Sequence, residues 1–399
     1  MNLFLFLYIL KKSMSTKNSK NILYLTGVLH GHFTGNIEII KLLVSLGYNV
    51  TCWVLDTFAE RLKNTGAKIE VYEIDRSDFN KLPPGVPKVY NNAKIVERSY
   101  DAVFTMFLKD KNKYDYLFHD MFFNCSEINK IFKFPISNII TIYASFCITE
   151  MKNMPWGDKR AQRMEALNKK YNLNLGDYVK YIYHPPSNNK LILTSRYFHF
   201  RGEEVDKSFH FIGPSIEERK IDNNFNFKKD PNKKLIYISL GTIINEIMQF
   251  YLLCMESFKD SEKYQVLMSV GNDIDIKSFK EIPSNFSIFN YVVQTEILKQ
   301  TDIFITHGGL NSIQEGILNK VFLIVLPLVN DAFENARMVE KLDAGISLNY
   351  KELNVDVLRN AVNTIESNRE KYQKGIEKIY NSFQEARNQR KEIIEKLLS

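Results

Sequence analysis

The most informative stretch of the chain reads THGGLNSIQE at residues 306–315 and directly follows the apolar run 303–305. Two adjacent glycines at a strand-to-helix turn allow the backbone to approach a ligand closely. The first free N–H groups of the following helix carry about half a positive charge and favour a bound anion. Tight turns alone would also explain two glycines, but the complete run of residues is more specific. It predicts a diphosphate site at this turn.

The polar side chains of this stretch have the chemistry that a nucleoside diphosphate requires. The imidazole of His307 and the hydroxyl of Ser312 can donate to phosphate oxygens. Glu315, one helical turn further on, can accept hydrogen bonds from a ribose diol. The predicted donor-site residues in this stretch are His307, Gly308, Gly309, Asn311, Ser312 and Glu315.

Short apolar runs alternate with amphipathic stretches on both sides of this segment. A repeated strand–helix–strand order predicts parallel sheets with helices on both faces. A charged stretch at 217–234 separates two such series. The predicted fold is therefore α/β, with two Rossmann-like doubly wound domains that face each other across a cleft. The predicted strands lie at 22–25, 50–55, 69–72, 116–118, 139–143 and 191–193 in the first series, and at 235–240, 265–269, 287–289, 303–306 and 322–326 in the second.

The chain is predicted to have five parts. Residues 1–20 form a tail or an alternative start region, 21–216 the first domain, 217–234 a linker, 235–375 the second domain and 376–399 a C-terminal helix. Apolar residues recur in this last part at spacings near 3.6, which is typical of an amphipathic helix. The apolar face could pack on its own domain alone or on both domains.

Composition and charge exclude several classes of protein. The chain has 399 residues, 45% hydrophobic and 25% charged, which are ordinary values for a folded globular protein. The net charge of +7 is spread along the sequence, so no nucleic-acid partner is expected. As a helix, the apolar run 3–10 would span only ~12 Å of a ~30 Å hydrocarbon layer. Membrane association is therefore not expected, and a cytoplasmic protein is.

The four cysteines point to the same compartment. Cys52, Cys125, Cys147 and Cys254 occur singly in apolar segments, without the close pairs of a zinc site or the density of a disulfide-rich protein. They are predicted to be buried thiols of a reducing compartment.

The stretch 306–315 resembles the donor-binding signature of the UDP-dependent glycosyltransferases of the macrolide-glycosyltransferase type, which are two-domain inverting enzymes with the GT-B fold. SLGT at 239–242 and YVVQ at 291–294 are similar to two further donor-domain segments of this family. The resemblance implies that Gly241 and Thr242 line the donor site and that Gln294 meets the uracil edge. It also implies that Asp331 binds sugar hydroxyls.

HGHF at 30–33 lies between the first predicted strand and the first predicted helix, and its second histidine, His32, matches the catalytic base of this family. A sugar hydroxyl is a poor nucleophile, so a base with a pKa near 7 at ~3 Å can assist by taking its proton. Asp120, at the end of another predicted strand, is similar to the aspartate that orients this base. On their own, His32 and Asp120 could equally be a helix-start residue and a loop residue. The nearby His30 and His119 are expected to be structural or to line the pocket.

The resemblance also implies a reaction and its partners. A hexose, with glucose expected, moves from a UDP-sugar to a hydroxyl of a small, largely apolar acceptor. The N-terminal domain binds the acceptor, the C-terminal domain binds the UDP-sugar, and the last helix crosses back to the N-terminal domain. No cofactor or metal ion is expected, since no carboxylate pair stands where a diphosphate-bound cation would need it. A monomer or weak dimer is expected, with an acceptor pocket formed by Phe33, Phe122, Phe123, Phe146 and Trp156.

Several positions depart from the family pattern. Ala332 replaces a glutamine that would contact the sugar, and Val293 replaces a proline. Lys320 and Phe322 replace a glycine and a proline before the next strand. Loss of an amide to a sugar hydroxyl typically costs ~1 kcal/mol, or about a factor of ten in sugar choice. The departures therefore leave the donor sugar open.

Two alternatives remain open at this stage. One is a nucleotide-sugar epimerase or hydrolase on the same fold, which would need additional acid–base carboxylates in the cleft. The other is a UDP-sugar-binding protein with weakened transfer, suggested by Ala332. The presence of His32 and Asp120 argues against this second alternative. The acceptor is not identified by the sequence, because its pocket depends on loops and on the insertion at 151–180.

Overall fold

The structure, a computed structural model, describes residues 20–79, 90–110, 112–123, 135–140, 189–217, 227–242, 247–329 and 331–399, with a few residues between 165 and 172. Seven parallel strands form the first sheet. They are β1 (Asn21–Leu25), β2 (Asn49–Leu55), β3 (Lys68–Tyr72), β4 (Tyr116–Asp120), β5 (Ile136–Ile140), β6 (Asn189–Ile192) and β7 (Phe209–Phe211), in the order β3-β2-β1-β4-β5-β6-β7. The helices of this half are α1 (His30–Ser45), α2 (Ala59–Leu62) and α3 (Tyr90–Lys109).

Six parallel strands form the second sheet. They are β8 (Lys234–Ser239), β9 (Tyr264–Ser269), β10 (Phe286–Phe289), β11 (Ile303–Thr306), β12 (Phe322–Val325) and β13 (Gly345–Ser347), in the order β10-β9-β8-β11-β12-β13. The helices of this half are α4 (Met248–Phe258), α5 (Gln294–Leu298), α6 (Leu310–Leu318), α7 (Ala332–Lys341), α8 (Val355–Ser367) and α9 (Arg369–Leu398). Every residue of β4, β11 and β12 is buried, as expected of parallel strands covered on both faces.

The two sheets confirm the predicted doubly wound α/β fold, with three differences in detail. β5 begins three residues before the predicted 139–143. β4 continues beyond the predicted 116–118 through two polar residues, His119 and Asp120, which are both buried. The sequence does not predict β7 and β13, because three residues are too few to show a period.

Each sheet reverses its strand order once, and the reversals position the site. β1 lies between β2 and β4, and β8 lies between β9 and β11. In open α/β sheets, ligands bind beyond the carboxyl ends of the strands at such a reversal. His32 follows β1, and Asp120 ends β4. Gly241 follows β8, and His307 follows β11. All four residues thus come from the two reversal points.

Helix α9 joins the two halves of the molecule, as predicted. Ile379 and Phe383, near its middle, are fully buried in the core of the second sheet. Ile394 and Leu398, near its end, are buried in the core of the first sheet. The helix begins at Arg369 rather than at the predicted residue 376. The sequence does not predict its first two turns, because they are mostly charged and show no apolar period.

The backbone conformation of Lys320 explains why the family has glycine at this position. Its φ of +56° lies in the left-handed region, just beyond the end of α6. The N–H of Val321 donates to the carbonyl oxygen of Gly316 at 2.9 Å, which is the bond that closes a Schellman motif. Lysine adopts this conformation at a cost, and its Nζ lies 5.0 Å from the centre of the Tyr380 ring.

Two of the four cysteines lie in the described parts of the chain. Cys52 and Cys254 are buried free thiols, as predicted, and burial raises the pKa of both. Cys125 and Cys147 lie outside the described residues. Within the described ranges, each helix is too short or too polar to cross a membrane.

Candidate active site

His32 and Asp120 form a hydrogen-bonded pair, although 88 residues separate them in the chain. Nδ1 of His32 lies 3.1 Å from Oδ2 of Asp120, which is fully buried. The backbone N–H of Phe122 donates to the other carboxylate oxygen at 3.0 Å. The His32 side chain remains 11% exposed. The geometry therefore brings together an accessible imidazole and a carboxylate that orients it.

Contacts in the first turn of α1 fix the position of His32. The side-chain amide of Asn36, one turn further on, donates to the carbonyl oxygen of His32 at 2.8 Å. The carbonyl oxygen of the same amide accepts from the N–H of Gly27 at 3.1 Å. The ring of Phe122 lies 4.2 Å from the imidazole, measured between ring centres. These contacts hold the histidine between the end of β1 and the end of β4.

His307 packs tightly against two glycines of the predicted donor site. A Cβ atom on Gly241 would lie 2.4 Å from Cε1 of the ring, and one on Gly309 would lie 2.6 Å from Nε2. Burial lowers the pKa of His307 to about 4, so the ring is neutral at pH 7. A neutral imidazole donates one hydrogen bond and carries no charge. A side chain at position 241 or 309 would therefore clash with the His307 ring.

The N-terminus of α6 has the features of an anion site. Gly309, which precedes the helix, provides no side-chain cap, and the first turn contains no acidic residue. Gly308 has a φ of +88°, and a Cβ atom there would lie 2.6 Å from Cγ1 of Val325. The amide of Asn335 donates to the carbonyl oxygen of Gly308 at 2.7 Å. The turn is thus held open toward the cleft by backbone conformation and by one buried side chain.

Gln294, Ser312 and Glu315 meet at one point. Nε2 of Gln294 lies 2.6 Å from Oε2 of Glu315 and 3.2 Å from Oγ of Ser312. The hydroxyl of Tyr237 donates to the side-chain oxygen Oε1 of Gln294 at 3.2 Å. Burial raises the pKa of Tyr237, so it remains a donor at pH 7. The structure therefore brings together the predicted contacts of the uracil (Gln294), the ribose (Glu315) and the diphosphate (Ser312), and these side chains are hydrogen-bonded to one another.

Asp331 lies just before α7, on the donor side of the cleft. Burial of its carboxyl group raises its pKa, and the hydrogen bond from Asn335 acts in the opposite direction. Asn335 donates to Oδ2 of Asp331 at 3.2 Å and to the carbonyl oxygen of Gly308 at 2.7 Å. Ala332 is almost completely buried. Asn335 thus connects Asp331 to the turn before α6.

The aromatic residues predicted for the acceptor pocket lie in different environments. Phe33 and Phe123 are buried in the core of the first sheet, and the Phe33 ring stacks on Phe58 at 4.4 Å. Phe122 is partly buried beside His32. Phe146 and Trp156 lie outside the described residues. Of this set, Phe122 is therefore the described residue placed to touch an acceptor.

The remaining predicted residues occupy the rim and interior of the site. Thr242 is exposed next to Gly241. Asn311 donates to the carbonyl oxygen of Gly31 in the first domain at 2.8 Å. His119 is almost completely buried, and this burial lowers its pKa to about 4. His30 begins α1.

Two buried asparagines that organise the site have no role predicted from the sequence. Asn36 lies four residues after His32, and Asn335 lies four residues after Asp331. Each is fully buried. Asn36 bonds the backbone of His32 and of Gly27. Asn335 bonds the side chain of Asp331 and the backbone of Gly308. The spacing of four residues was the available signal, because side chains i and i+4 share one face of a helix. Within the described ranges, no group of three His, Cys, Asp or Glu side chains could hold a metal ion.

Solved structures with the same architecture are known. The glycosyltransferase of kitacinnamycin superposes with a TM-score of 0.79 at 22% sequence identity, over 95% of this chain and 99% of that one. The calicheamicin glycosyltransferase CalG4 superposes with a TM-score of 0.75, over 96% of this chain and 98% of that one. Two parallel α/β sheets that meet across a cleft, together with these likenesses, define a protein of the GT-B fold class.

Sequence comparison identifies the family within this class. Residues 220–384 match the family described as UDP-glucoronosyl and UDP-glucosyl transferase. The NDP-glycosyltransferase YjiC of Bacillus licheniformis is 31% identical over 84% of this chain and 86% of its own length. The uncharacterized UDP-glucosyltransferase YojK of Bacillus subtilis is 28% identical over 90% of this chain and 92% of its own. The chain therefore belongs to the UDP-glycosyltransferase family and is a glycosyltransferase.

Proposed function

We propose that this enzyme transfers a hexose, with glucose as the expected sugar, from a UDP-sugar to a hydroxyl of a small, largely apolar acceptor. Transfer inverts the anomeric carbon. The observation that carries the proposal is the His32–Asp120 pair, in which Asp120 is fully buried and part of the His32 side chain is exposed. Relatives named UDP-glucosyltransferase and NDP-glycosyltransferase support the choice of donor.

His32 is the proposed general base. Its Nδ1–H donates to Asp120, which leaves the lone pair of Nε2 for the proton of the acceptor hydroxyl. As the acceptor oxygen bonds to the anomeric carbon, the bond from that carbon to the UDP oxygen breaks and the proton moves to Nε2. The Asp120 carboxylate, which the Phe122 N–H holds in place, stabilises the imidazolium that forms.

The N-terminus of α6 and His307 are the proposed contacts of the diphosphate. The departing UDP gains negative charge as its bond to the sugar breaks, so donors aimed at it stabilise the transition state more than the ground state. Because the positive end of a helix lies at the leaving group, we expect transfer without a metal ion. A chelator should then leave the rate unchanged, and a strict requirement for Mg²⁺ would contradict this part of the proposal.

The uracil, the ribose and the sugar of the donor have proposed partners in the second domain. Gln294 is the proposed partner of the uracil edge, and Glu315 that of the ribose diol. Asp331 is the proposed partner of a sugar hydroxyl, while the adjacent Ala332 offers no polar side-chain atom. Replacing His307 or Glu315 with alanine should weaken UDP binding by ~1–3 kcal/mol in calorimetry. An unchanged UDP dissociation constant in both variants would refute the donor site.

The variant His32→Ala tests the base most directly. Turnover should fall by about 100-fold or more, the usual contribution of a general base, while the dissociation constant of UDP stays nearly unchanged. Asp120→Asn should also lower turnover without affecting UDP affinity. His210→Ala is the matched control, because His210 lies on the short strand β7 and is bonded to Asn189 of β6, not to the site. Normal turnover in a folded His32→Ala enzyme would remove this residue from the mechanism.

Incubation with a UDP-sugar alone separates transfer from other reactions on this fold. With no acceptor present, a transferase should leave most UDP-glucose intact over the time in which transfer would be complete. Rapid conversion to free glucose or to UDP-galactose would instead indicate a hydrolase or an epimerase.

A further inference from the structure

One hydrogen bond crosses the cleft beside the catalytic pair. Nδ2 of Asn311, in the first turn of α6, donates to the carbonyl oxygen of Gly31 at 2.8 Å. Gly31 directly precedes His32 in the first turn of α1. The two residues are 280 positions apart and belong to different sheets. The bond therefore connects the helix of the predicted diphosphate site to the helix that carries the base.

A second amide on the same face of α6 also reaches the first domain. Nε2 of Gln314 donates to the carbonyl oxygen of Leu193, just after β6, at 2.7 Å. Gln314 is almost fully buried, whereas Asn311 is partly exposed. Positions 311 and 314 share one face of the helix because they are three residues apart. This face of α6 is thus an interdomain contact, fixed at Gln314 and accessible at Asn311.

The neighbouring face of α6 makes contacts within the second domain. Ser312 and Glu315, again three residues apart, are bonded to Gln294 within the second domain. The sequence predicts Asn311 to be one more contact of the donor. In this structure its amide lies on the face that meets α1.

We propose that Asn311 is a positioning residue, which holds the first turn of α1 against α6 and so sets the distance from His32 to the anomeric carbon. This inference rests on the proposed function of His32. Gly31 is within one residue of the base, so a shift of its carbonyl group moves the imidazole as well. A displacement of about 1 Å can lower a rate by about 100-fold.

The variant Asn311→Ala separates positioning from donor binding. Turnover at saturating UDP-sugar should fall by about tenfold or more, while the dissociation constant of UDP changes by less than about threefold. Asn319→Ala is the matched control, because Asn319 caps the opposite end of the same helix and its amide bonds within its own domain, to the backbone carbonyl oxygen of Glu315. A higher UDP dissociation constant with unchanged turnover at saturation would overturn the proposal and make Asn311 an ordinary donor contact.

A second measurement is independent of catalysis. Amide hydrogen exchange in residues 32–36, followed by mass spectrometry, should be faster in Asn311→Ala than in the unmodified enzyme and in Asn319→Ala. Gly31→Ala keeps the accepting carbonyl, and its Cβ would lie 3.8 Å from Nδ2 of Asn311, so exchange there should not increase. Unchanged exchange in Asn311→Ala would overturn the positioning role. If the unmodified enzyme transfers no sugar at all, the proposed function fails, whereas the exchange result still decides whether Asn311 holds α1.

Discussion

Burial determines the protonation state of three histidines in this chain. It lowers the pKa of His119, His199 and His307 to about 4, so each ring is neutral at pH 7. The surroundings of His32 are different: Asp120 lies 3.1 Å from its Nδ1, and 11% of its side chain is exposed. At the scale of single residues, the surroundings thus distinguish the neutral ring of His307 from the ring of His32, which has a carboxylate partner.

The three buried histidines predict a loss of stability in mild acid. Their pKa of about 4 in the folded state lies below the ~6.5 of an unfolded chain, so between these values the unfolded chain binds more protons. Stability should therefore be complete above about pH 6.5 and decrease toward pH 4, by up to ~1.4 kcal/mol per pH unit for each ring. Urea unfolding at several pH values measures this slope.

The variant His199→Gln provides the control for this prediction. His199 lies beside Phe211, away from the candidate site, with ring centres 5.3 Å apart. Its removal should make the decrease between pH 6.5 and 4 shallower, since it takes away one of the three rings with a pKa of about 4. A slope identical to that of the unmodified protein would show that burial of His199 does not govern the acid response.

At the scale of elements, the turn between β11 and α6 depends on one backbone conformation. Gly308→Ala places a side chain at a φ of +88° and brings its Cβ to 2.6 Å from Val325. The turn must shift, so we expect UDP binding to fall at least about tenfold, along with a loss of ~1–3 kcal/mol of stability. Calorimetry and urea unfolding measure the two effects.

Gly47→Ala is the matched control for the turn. Gly47 has a similar φ of +86°, but a Cβ atom there would meet nothing within 4 Å, and it lies after α1, away from the donor turn. This variant should lose about 1 kcal/mol of stability and bind UDP normally. Equal UDP binding in the two variants would mean that the conformation of the 306–309 turn does not matter for the donor.

The elements show what periodicity can predict. The central strands and the turn at 306–309 follow from apolar runs and from glycine chemistry, and both appear in the structure close to their predicted bounds. The prediction of His32 and Asp120 rests on the family resemblance, because on their own they could equally be a helix-start residue and a loop residue. The amide contacts of Asn311 and Gln314 are not predicted by periodicity, because a hydrogen bond between residues far apart in sequence depends on how two domains meet, and the pattern of one helix contains no information about its partner.

At the scale of the whole molecule, α9 and the segment 212–214 after β7 hold α1, the helix of the proposed base. The buried guanidinium of Arg390 donates to the carbonyl oxygens of Ile212, Gly213 and Pro214. It also pairs with Glu38 of α1 at 2.9 Å, and burial lowers its pKa while Glu38 opposes this shift. The C-terminal helix is therefore connected to α1, six residues beyond His32 in that helix.

A pair of substitutions in α9 tests whether the helix stabilises both domains. Ile379→Ala removes side-chain volume from the core of the second sheet, and Ile394→Ala does so in the core of the first. Each should cost ~2–5 kcal/mol, and each variant controls for the other. Hydrogen exchange should increase mainly in the second domain for Ile379→Ala and in the first for Ile394→Ala.

Truncation extends this test to the whole helix. Ending the chain near Gly375 should destabilise both domains and abolish transfer, because several large apolar side chains are lost at ~1.5–3 kcal/mol each. Normal melting and normal transfer in the truncated protein would show that the contacts of α9 with the first domain contribute nothing to stability.

In the proposed mechanism, His32 assists a single displacement that inverts the anomeric carbon of the sugar. Proton NMR of UDP-α-glucose with an accepted hydroxyl compound, followed in real time with the unmodified enzyme and with His32→Ala, tests it most directly. We predict that the β-glycoside and UDP appear together from the first turnover, and that both are slowed by about 100-fold or more in His32→Ala. An α-glycoside as the first product, or equal rates in the two proteins, would contradict the account.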